Sequence, residues 1–187
     1  DVVWTYSGVR PLIDDGSGKP EAATRGYQLE LSGAPGEPAF LSVFGGKITT
    51  YRKLAEHALA ELAPYLPAMK PAWTQAAPLP GGDLPGRDRN AWFAELCRRY
   101  PQLPAPLLRA IGTRHGTRAI AVLGDAKTPA DLGRDFGAHL TAREVDYLAA
   151  KEWARTADDV LWRRTKCGLP MTPAQRDAVA DHMAGRA

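Results

Sequence analysis

The sequence predicts an α+β chain in which a few short strands and one helix precede an all-helical region. Two observations support this prediction: β-prone stretches lie within the first forty-four residues, and helix-start signals recur from residue 89 onward. Between them, prolines and glycines are too dense for a continuous helix or a central strand. We therefore predict a first domain over 1–63, a Pro/Gly-rich linker over 64–88 and a helical domain over 89–187.

The first domain contains three β-prone stretches, at 2–6, 27–31 and 40–43, separated by segments rich in Gly, Pro and Asp. Gly45 and Gly46 then interrupt the pattern. The residues that follow have the apolar spacing of one helical face, formed by Tyr51, Leu54, Ala55, Ala58, Leu59 and Leu62. The predicted order is therefore strand, glycine turn and helix.

Helix-start signals organise the second domain. Thr141 with Glu144 forms the pattern of a capping box, and Thr172 with Gln175 repeats it with proline at the first helical position. Looser versions begin at Thr128 and at Thr156. Together with the apolar spacing, these signals predict about five or six helices between residues 89 and 184.

Composition limits the classes of protein that fit. The chain has 24 Lys and Arg against 21 Asp and Glu, which is too close to neutrality for a strong DNA-binding surface. Its two cysteines are too few for a disulfide framework or a four-thiolate metal site and favour a reducing cytoplasm. No apolar run approaches the ~20 residues that cross a bilayer. We predict no metal site and no catalytic histidine. The first residue is Asp and not Met, which suggests that the chain is a piece of a longer protein.

The segment 42–52 carries the strongest chemical signal, because a strand leads through Gly45 and Gly46 into a helix start with Lys47, Thr49 and Thr50. Such a start exposes backbone N–H groups and the positive end of the helix dipole, which attract an anion or a polarised oxygen. The segment matches neither G-x-x-x-x-G-K-[ST] nor G-x-G-x-x-G. An ordinary tight turn followed by a helix cap explains the same residues, so the pattern alone leaves both interpretations open.

Several separated motifs resemble one enzyme family. The ranges 6–12 (YSGVRPL) and 41–56 (LSVFGGKITTYRKLAE) resemble the C-terminal end of the flavin domain of aerobic, membrane-associated, FAD-dependent glycerol-3-phosphate dehydrogenases. The resemblance continues through LPGGD at 79–83, GTRA at 116–119 and EWARTADDVLWRRTK at 152–166. It implies that 1–63 is a short C-terminal piece of a flavin-binding domain and that 89–187 is the helical domain that follows it.

The resemblance also implies roles for individual residues. It assigns the phosphate of the substrate to Arg10, Arg25 and Lys47. It places backbone groups around Lys47 near the pyrimidine edge of the flavin. The implied cofactor-binding residues are Gly45, Gly46, Lys47, Ile48, Thr49 and Thr50. The catalytic base and the ADP-binding fingerprint are expected in an N-terminal remainder of the flavin domain, so this chain alone is expected to be inactive and not to retain FAD.

The reaction implied by the resemblance is oxidation of sn-glycerol 3-phosphate to dihydroxyacetone phosphate, with electrons passing from FAD to quinone. The whole enzyme is then expected at the cytoplasmic face of the inner membrane as a peripheral protein. A glycerol-3-phosphate oxidase that uses oxygen is the nearest alternative, and peroxide release would distinguish it. A helical nucleic-acid-binding module is a third possibility, but it leaves the Gly-Gly-Lys segment unexplained.

Overall fold

The computed structural model describes residues 1–2, 4–9, 11–13, 16, 18, 24–33, 36–66 and 68–185. The chain forms two compact units, of which the smaller is Thr5–Ala77 and the larger, helical one is Asp1–Trp4 with Pro78–Ala187. The boundary between Ala77 and Pro78 lies inside the range 64–88. Strands and helices together confirm the predicted α+β class.

The smaller unit is built around an antiparallel hairpin and one helix. In the hairpin, Tyr27 lies opposite Gly45 and Ser32 opposite Phe40. A 3₁₀ turn at Ile48–Thr50 leads from the hairpin into the helix. The elements are β1 (Tyr27–Ser32), β2 (Phe40–Gly45) and α1 (Tyr51–Leu62).

The strand predicted over 2–6 is wrong for the residues that the structure describes there. Residues 4–9 form no regular element. A strand needs a neighbouring strand whose backbone groups form hydrogen bonds with its own. The chain instead passes here from one unit to the other, since Trp4 belongs to the helical unit and Thr5 to the smaller one. The Trp4 ring stacks on Trp162, with ring centroids 5.5 Å apart.

The helical unit contains five α-helices and one π-helix in the part of the chain that the structure describes, which confirms the predicted number. Among the described residues of this unit, β pairing is limited to an isolated bridge between Asp135 and Thr141. The helices are α2 (Arg89–Arg99), α3 (Ala105–His115), α4 (Ala119–Leu123), α5 (Ala142–Lys151), the π-helix (Asp159–Arg164) and α6 (Pro173–Ala184).

Two of the predicted helix starts behave differently. At α6 the capping box is complete, because Thr172 N donates to Gln175 Oε1 at 2.9 Å and Gln175 N donates to Thr172 Oγ1 at 3.3 Å. At α5 only half of it forms: Glu144 N donates to Thr141 Oγ1 at 3.4 Å. The Glu144 side chain is buried instead of accepting a hydrogen bond from Thr141 N. The part of the predicted capping box that Glu144 would supply is therefore wrong.

Two hydrophobic clusters form the core of the helical unit. One joins α2, α3 and α4 around residues such as Leu96 and Ile111, and the other surrounds α5 and α6 around Val145. Tyr147 packs against both clusters. Gly112 allows the close approach of α2 and α3, since a Cβ there would lie 2.8 Å from Leu96 Cδ1.

Candidate functional site

The glycine turn after β2 has a geometry that only glycine adopts easily. Gly45 and Gly46 have φ values of +68° and +98°, in the left-handed region that side chains disfavour. A Cβ on Gly45 would lie 2.8 Å from the carbonyl oxygen of Gly26, and that same oxygen accepts a 2.8 Å hydrogen bond from Gly46 N. The turn is therefore held against the start of β1 by a contact that leaves no room for a side chain.

The helix start after this turn is stabilised by Thr50. Both the backbone N–H and the hydroxyl of Thr50 donate to the carbonyl oxygen of Lys47, at 2.9 Å and 2.8 Å. The N–H groups of Ile48 and Thr49 come first in this turn, where no helical acceptor precedes them, and Ile48 is 89% exposed. The Thr50 hydroxyl thus serves the backbone of the turn, while the first two N–H groups of the turn have no helical acceptor.

A cavity of about 440 Å³ lies against this helix start, within the smaller unit. It brings together two predicted phosphate ligands, Arg25 and Lys47. Gly45 and Thr50 do not line it. Arg10 lies outside the described residues, although both of its neighbours line the cavity. The described residues that line it are Val9, Pro11, Leu12, Arg25, Gly46, Lys47, Ile48 and Thr49.

The described lining of the cavity is electropositive. It contains two cations and no carboxylate, and neither Arg25 nor Lys47 forms an ion pair with another described residue. By contrast, Arg52 on α1 donates to Glu56 at 2.8 Å, and Thr74 donates to the same carboxylate at 2.5 Å. Arg25 and Lys47 therefore remain available to a bound anion.

One buried polar cluster was missed by the sequence analysis. Glu144 in α5 is fully buried and receives hydrogen bonds from Arg114, while His115 Nε2 lies 2.8 Å from it. The spacing of Thr141 and Glu144 indicated a cap, and no local signal separates a capping glutamate from a buried one. In the described part of the chain, no three His, Cys, Asp or Glu side chains gather as a metal site would require.

Residues 72–186 match the family described as the C-terminal domain of alpha-glycerophosphate oxidase. The chain belongs to this family. The match begins near the end of the smaller unit and extends over the helical unit, so this family region is the helical part of the molecule. No helix of the described residues is long and apolar enough to cross a membrane.

Curated relatives agree with this family. The chain is 51% identical over 180 residues to "Aerobic glycerol-3-phosphate dehydrogenase" of Escherichia coli strain K12, covering 96% of the chain and 36% of that protein. It is 47% identical to "Glycerol-3-phosphate dehydrogenase" of Pseudomonas aeruginosa, covering 98% of the chain and 36% of that protein. It is 45% identical to "D-erythritol 1-phosphate dehydrogenase" of Brucella abortus, covering 97% and 36%.

The resemblance inferred from the motifs is thereby confirmed. The chain spans about a third of the length of these relatives. An alignment that covers 96% of the chain necessarily includes the turn at 45–50, although the family region itself begins only at residue 72. The alpha-glycerophosphate oxidase family region and the glycine turn therefore belong to one continuous similarity.

Proposed function

We propose that this chain is the C-terminal part of an FAD-dependent glycerol-3-phosphate dehydrogenase that oxidises sn-glycerol 3-phosphate to dihydroxyacetone phosphate. The names of relatives at 51% and 47% identity support this assignment. The observation that carries it is the cavity in which Arg25 and Lys47 meet the helix start at Gly46–Thr49.

The phosphate of the substrate binds to the cations of this cavity. A phosphate monoester carries nearly two negative charges, which guanidinium and ammonium groups match with short, charge-assisted hydrogen bonds. Arg25 contributes a planar fork of donors and Lys47 a point charge. Arg10, between two residues that line the cavity, is the third proposed ligand. These residues bind and orient the substrate, while the catalytic base lies in another part of the enzyme.

The turn at Gly45–Thr50 is the part of the chain that would hold the pyrimidine edge of a flavin. A bound FAD would supply the hydride acceptor of this oxidation, and its reduction would leave negative charge on the ring system. The N–H groups of Ile48 and Thr49 at the positive end of the helix stabilise negative charge at this position. Gly46 has no side chain to obstruct the approach of a ring oxygen. Gly45 and Thr50 act indirectly, by shaping the turn and fixing the helix start.

The domain assignment and the partners follow from the same proposal. Residues 1–63 join the N-terminal remainder of the flavin domain, 64–88 form the connection, and 89–187 form the helical domain. The whole enzyme docks peripherally on the cytoplasmic face of the inner membrane and passes electrons to quinone. It has no nucleic-acid partner.

Oxygen is the alternative electron acceptor, because the description of the matched family names an oxidase. The similarity to a D-erythritol 1-phosphate dehydrogenase raises a parallel question about the carbon chain of the substrate. Glycerol 3-phosphate and erythritol 1-phosphate both carry a phosphate ester, so the cations of the cavity can bind the phosphate of either substrate. Rates with each substrate, measured by quinone reduction and by peroxide release, distinguish these possibilities.

A chimera tests the proposal directly. This chain replaces the matching third of the E. coli enzyme, and steady-state rates are measured with sn-glycerol 3-phosphate and a soluble quinone. Arg25→Gln and Lys47→Gln each raise KM by about tenfold if a charged phosphate contact is lost. Lys53→Gln is the matched control, since Lys53 lies on α1, does not line the cavity and pairs with Glu56. An unchanged KM in both cavity variants would remove them from the phosphate site.

A further inference from the structure

A second cavity, of about 340 Å³, lies entirely within the helical unit. One wall is the segment around Gly81 and Leu84, and the others are helices α2 and α3. Its volume is at the lower end of the range for small-molecule binding sites. Nothing in the function proposed above uses this cavity.

The wall of the cavity at Gly81 is fixed in place. The carbonyl oxygen of Gly81 accepts a 3.0 Å hydrogen bond from Thr117 N. The Thr117 hydroxyl donates to the carboxylate of Asp83. A Cβ on Gly116 would lie only 1.9 Å from the Gly81 oxygen, so the two segments meet backbone to backbone. This wall of the cavity is therefore set by backbone contacts and does not depend on a mobile side chain.

Trp92 supplies an unused hydrogen-bond donor at this cavity. Its side chain lines the cavity and is only 3% exposed. Its indole nitrogen, Nε1, is buried and has no acceptor among the described residues. A buried donor without an acceptor destabilises a fold, and most such groups in proteins are paired. The indole N–H therefore favours a ligand that brings an acceptor atom.

The charges at the cavity select a negative ligand. Arg89 and Arg114 line it, and its lining contains no carboxylate. Arg89 forms no ion pair with a described residue. Arg114 uses Nε and Nη2 for Glu144 and the His139 carbonyl, which leaves Nη1 without a partner among the described residues. Arg89 is thus the lining cation whose charge no described carboxylate offsets, whereas Glu144 offsets the charge of Arg114.

We infer that the cavity between α2, α3 and the Gly81 segment binds a small organic acid. Its oxyanion accepts the indole N–H of Trp92 and is attracted by Arg89. Its apolar body packs against Pro80, Leu84 and the Trp92 ring. This binding site belongs to the helical unit alone and does not depend on the flavin or on the proposed substrate.

The test is an NMR titration of the ¹⁵N-labelled chain with benzoate as the probe, alongside benzamide as a neutral analogue and inorganic phosphate as a bare anion. The chain has five tryptophans, so the Trp92 indole signal is assigned by its loss in Trp92→Phe. The expected result is a saturable downfield shift of this signal with benzoate and a much weaker response to benzamide.

Two variants complete the test. Arg89→Gln weakens benzoate binding by about threefold, as expected for a partly exposed charge contact, and leaves the fold intact as judged by the other indole signals. Arg98→Gln, which removes a charge from the same helix outside the cavity, leaves the affinity unchanged. No saturable shift with benzoate or phosphate would mean that only water enters the cavity and would overturn the inference. Equal binding of benzamide, or equal affinity in Arg89→Gln, would overturn the anion assignment.

Discussion

Arg114 on α3 binds Glu144 on α5 through two parallel hydrogen bonds, each 2.6 Å long, from Nε to Oε1 and from Nη2 to Oε2. The Glu144 side chain has no solvent exposure and that of Arg114 has 14%. His115 Nε2 lies 2.8 Å from the same carboxylate. A buried carboxylate is stable only when it is paired and hydrogen-bonded. This cluster therefore ties α3 to α5, and with them the two hydrophobic clusters of the helical unit.

Replacing Glu144 by alanine is predicted to destabilise the helical unit strongly. The variant leaves the Arg114 guanidinium buried without its partner, a change that typically costs about 3–5 kcal/mol. The measurement is the free energy of unfolding, from urea denaturation followed by circular dichroism.

Two further variants separate burial from charge. Glu95→Ala removes an exposed carboxylate that pairs with Arg98, and it is expected to cost less than about 1 kcal/mol. The double variant Arg114→Met with Glu144→Leu replaces the pair by apolar groups and should recover much of the loss. A Glu144→Ala variant as stable as Glu95→Ala would contradict the role assigned to the pair.

The same pair predicts how stability depends on pH. Burial alone would raise the pKa of Glu144, but hydrogen bonds from His115 and Arg114 outweigh burial and bring the pKa below its ordinary value of 4.5. A carboxylate with a depressed folded-state pKa stabilises the fold fully above the ordinary value. That contribution is lost as the pH falls from the ordinary value through the folded-state value.

Urea midpoints of the wild type and of Glu144→Gln, measured from about pH 6 to about pH 3, test this dependence. The wild type should lose stability more steeply below about pH 4.5 than the variant does. Asp131 and Asp159 also have lowered pKa values because backbone N–H groups donate to them, but they are present in both proteins and cancel in the comparison. Parallel curves would rule out Glu144 as a source of acid sensitivity.

Gly116 is predicted to tolerate no side chain. Its φ of +55° and its contact with the Gly81 oxygen both exclude a Cβ. Gly116→Ala should therefore cost more than about 2 kcal/mol of unfolding free energy. Gly86→Ala is the matched control: Gly86 has a φ of +60° but nothing within 4 Å of the added Cβ, so only backbone strain of about 1 kcal/mol is expected. Equal losses in the two variants would show that the contact with Gly81 is unimportant.

Local signals explain which parts of the fold were predictable. The hairpin strands and the start of α6 were predicted nearly at their observed bounds, because alternation and a Thr-Pro-x-Gln cap act over a few neighbouring residues. The segment 2–6 has the same β propensity, but its described residues form no strand, and no local pattern reveals this. Tertiary context therefore overrode propensity there.

Some residues of the candidate site were likewise predictable from local sequence, and others were not. Gly45 and Gly46 were predictable because a tight turn demands glycine locally, and the helix start at Lys47 follows from them. The approach of Arg25 to Lys47 depends on β1 pairing with β2, which is a contact between distant positions. Resemblance to a family supplied Arg25 where periodicity could not. The burial of Glu144 had no sequence signal, since its spacing from Thr141 is that of a cap.

The most direct test of the central claim, that this chain completes a flavin and phosphate site, is an anaerobic titration of the chimera with sn-glycerol 3-phosphate while flavin absorbance is recorded. The unmodified E. coli enzyme serves as the positive control. We predict bleaching of the flavin in the chimera and in its Lys53→Gln variant at similar substrate concentrations, and in Lys47→Gln only at concentrations about tenfold higher. A folded, FAD-loaded chimera whose flavin stays oxidised, or a Lys47→Gln variant that bleaches like Lys53→Gln, would contradict the account.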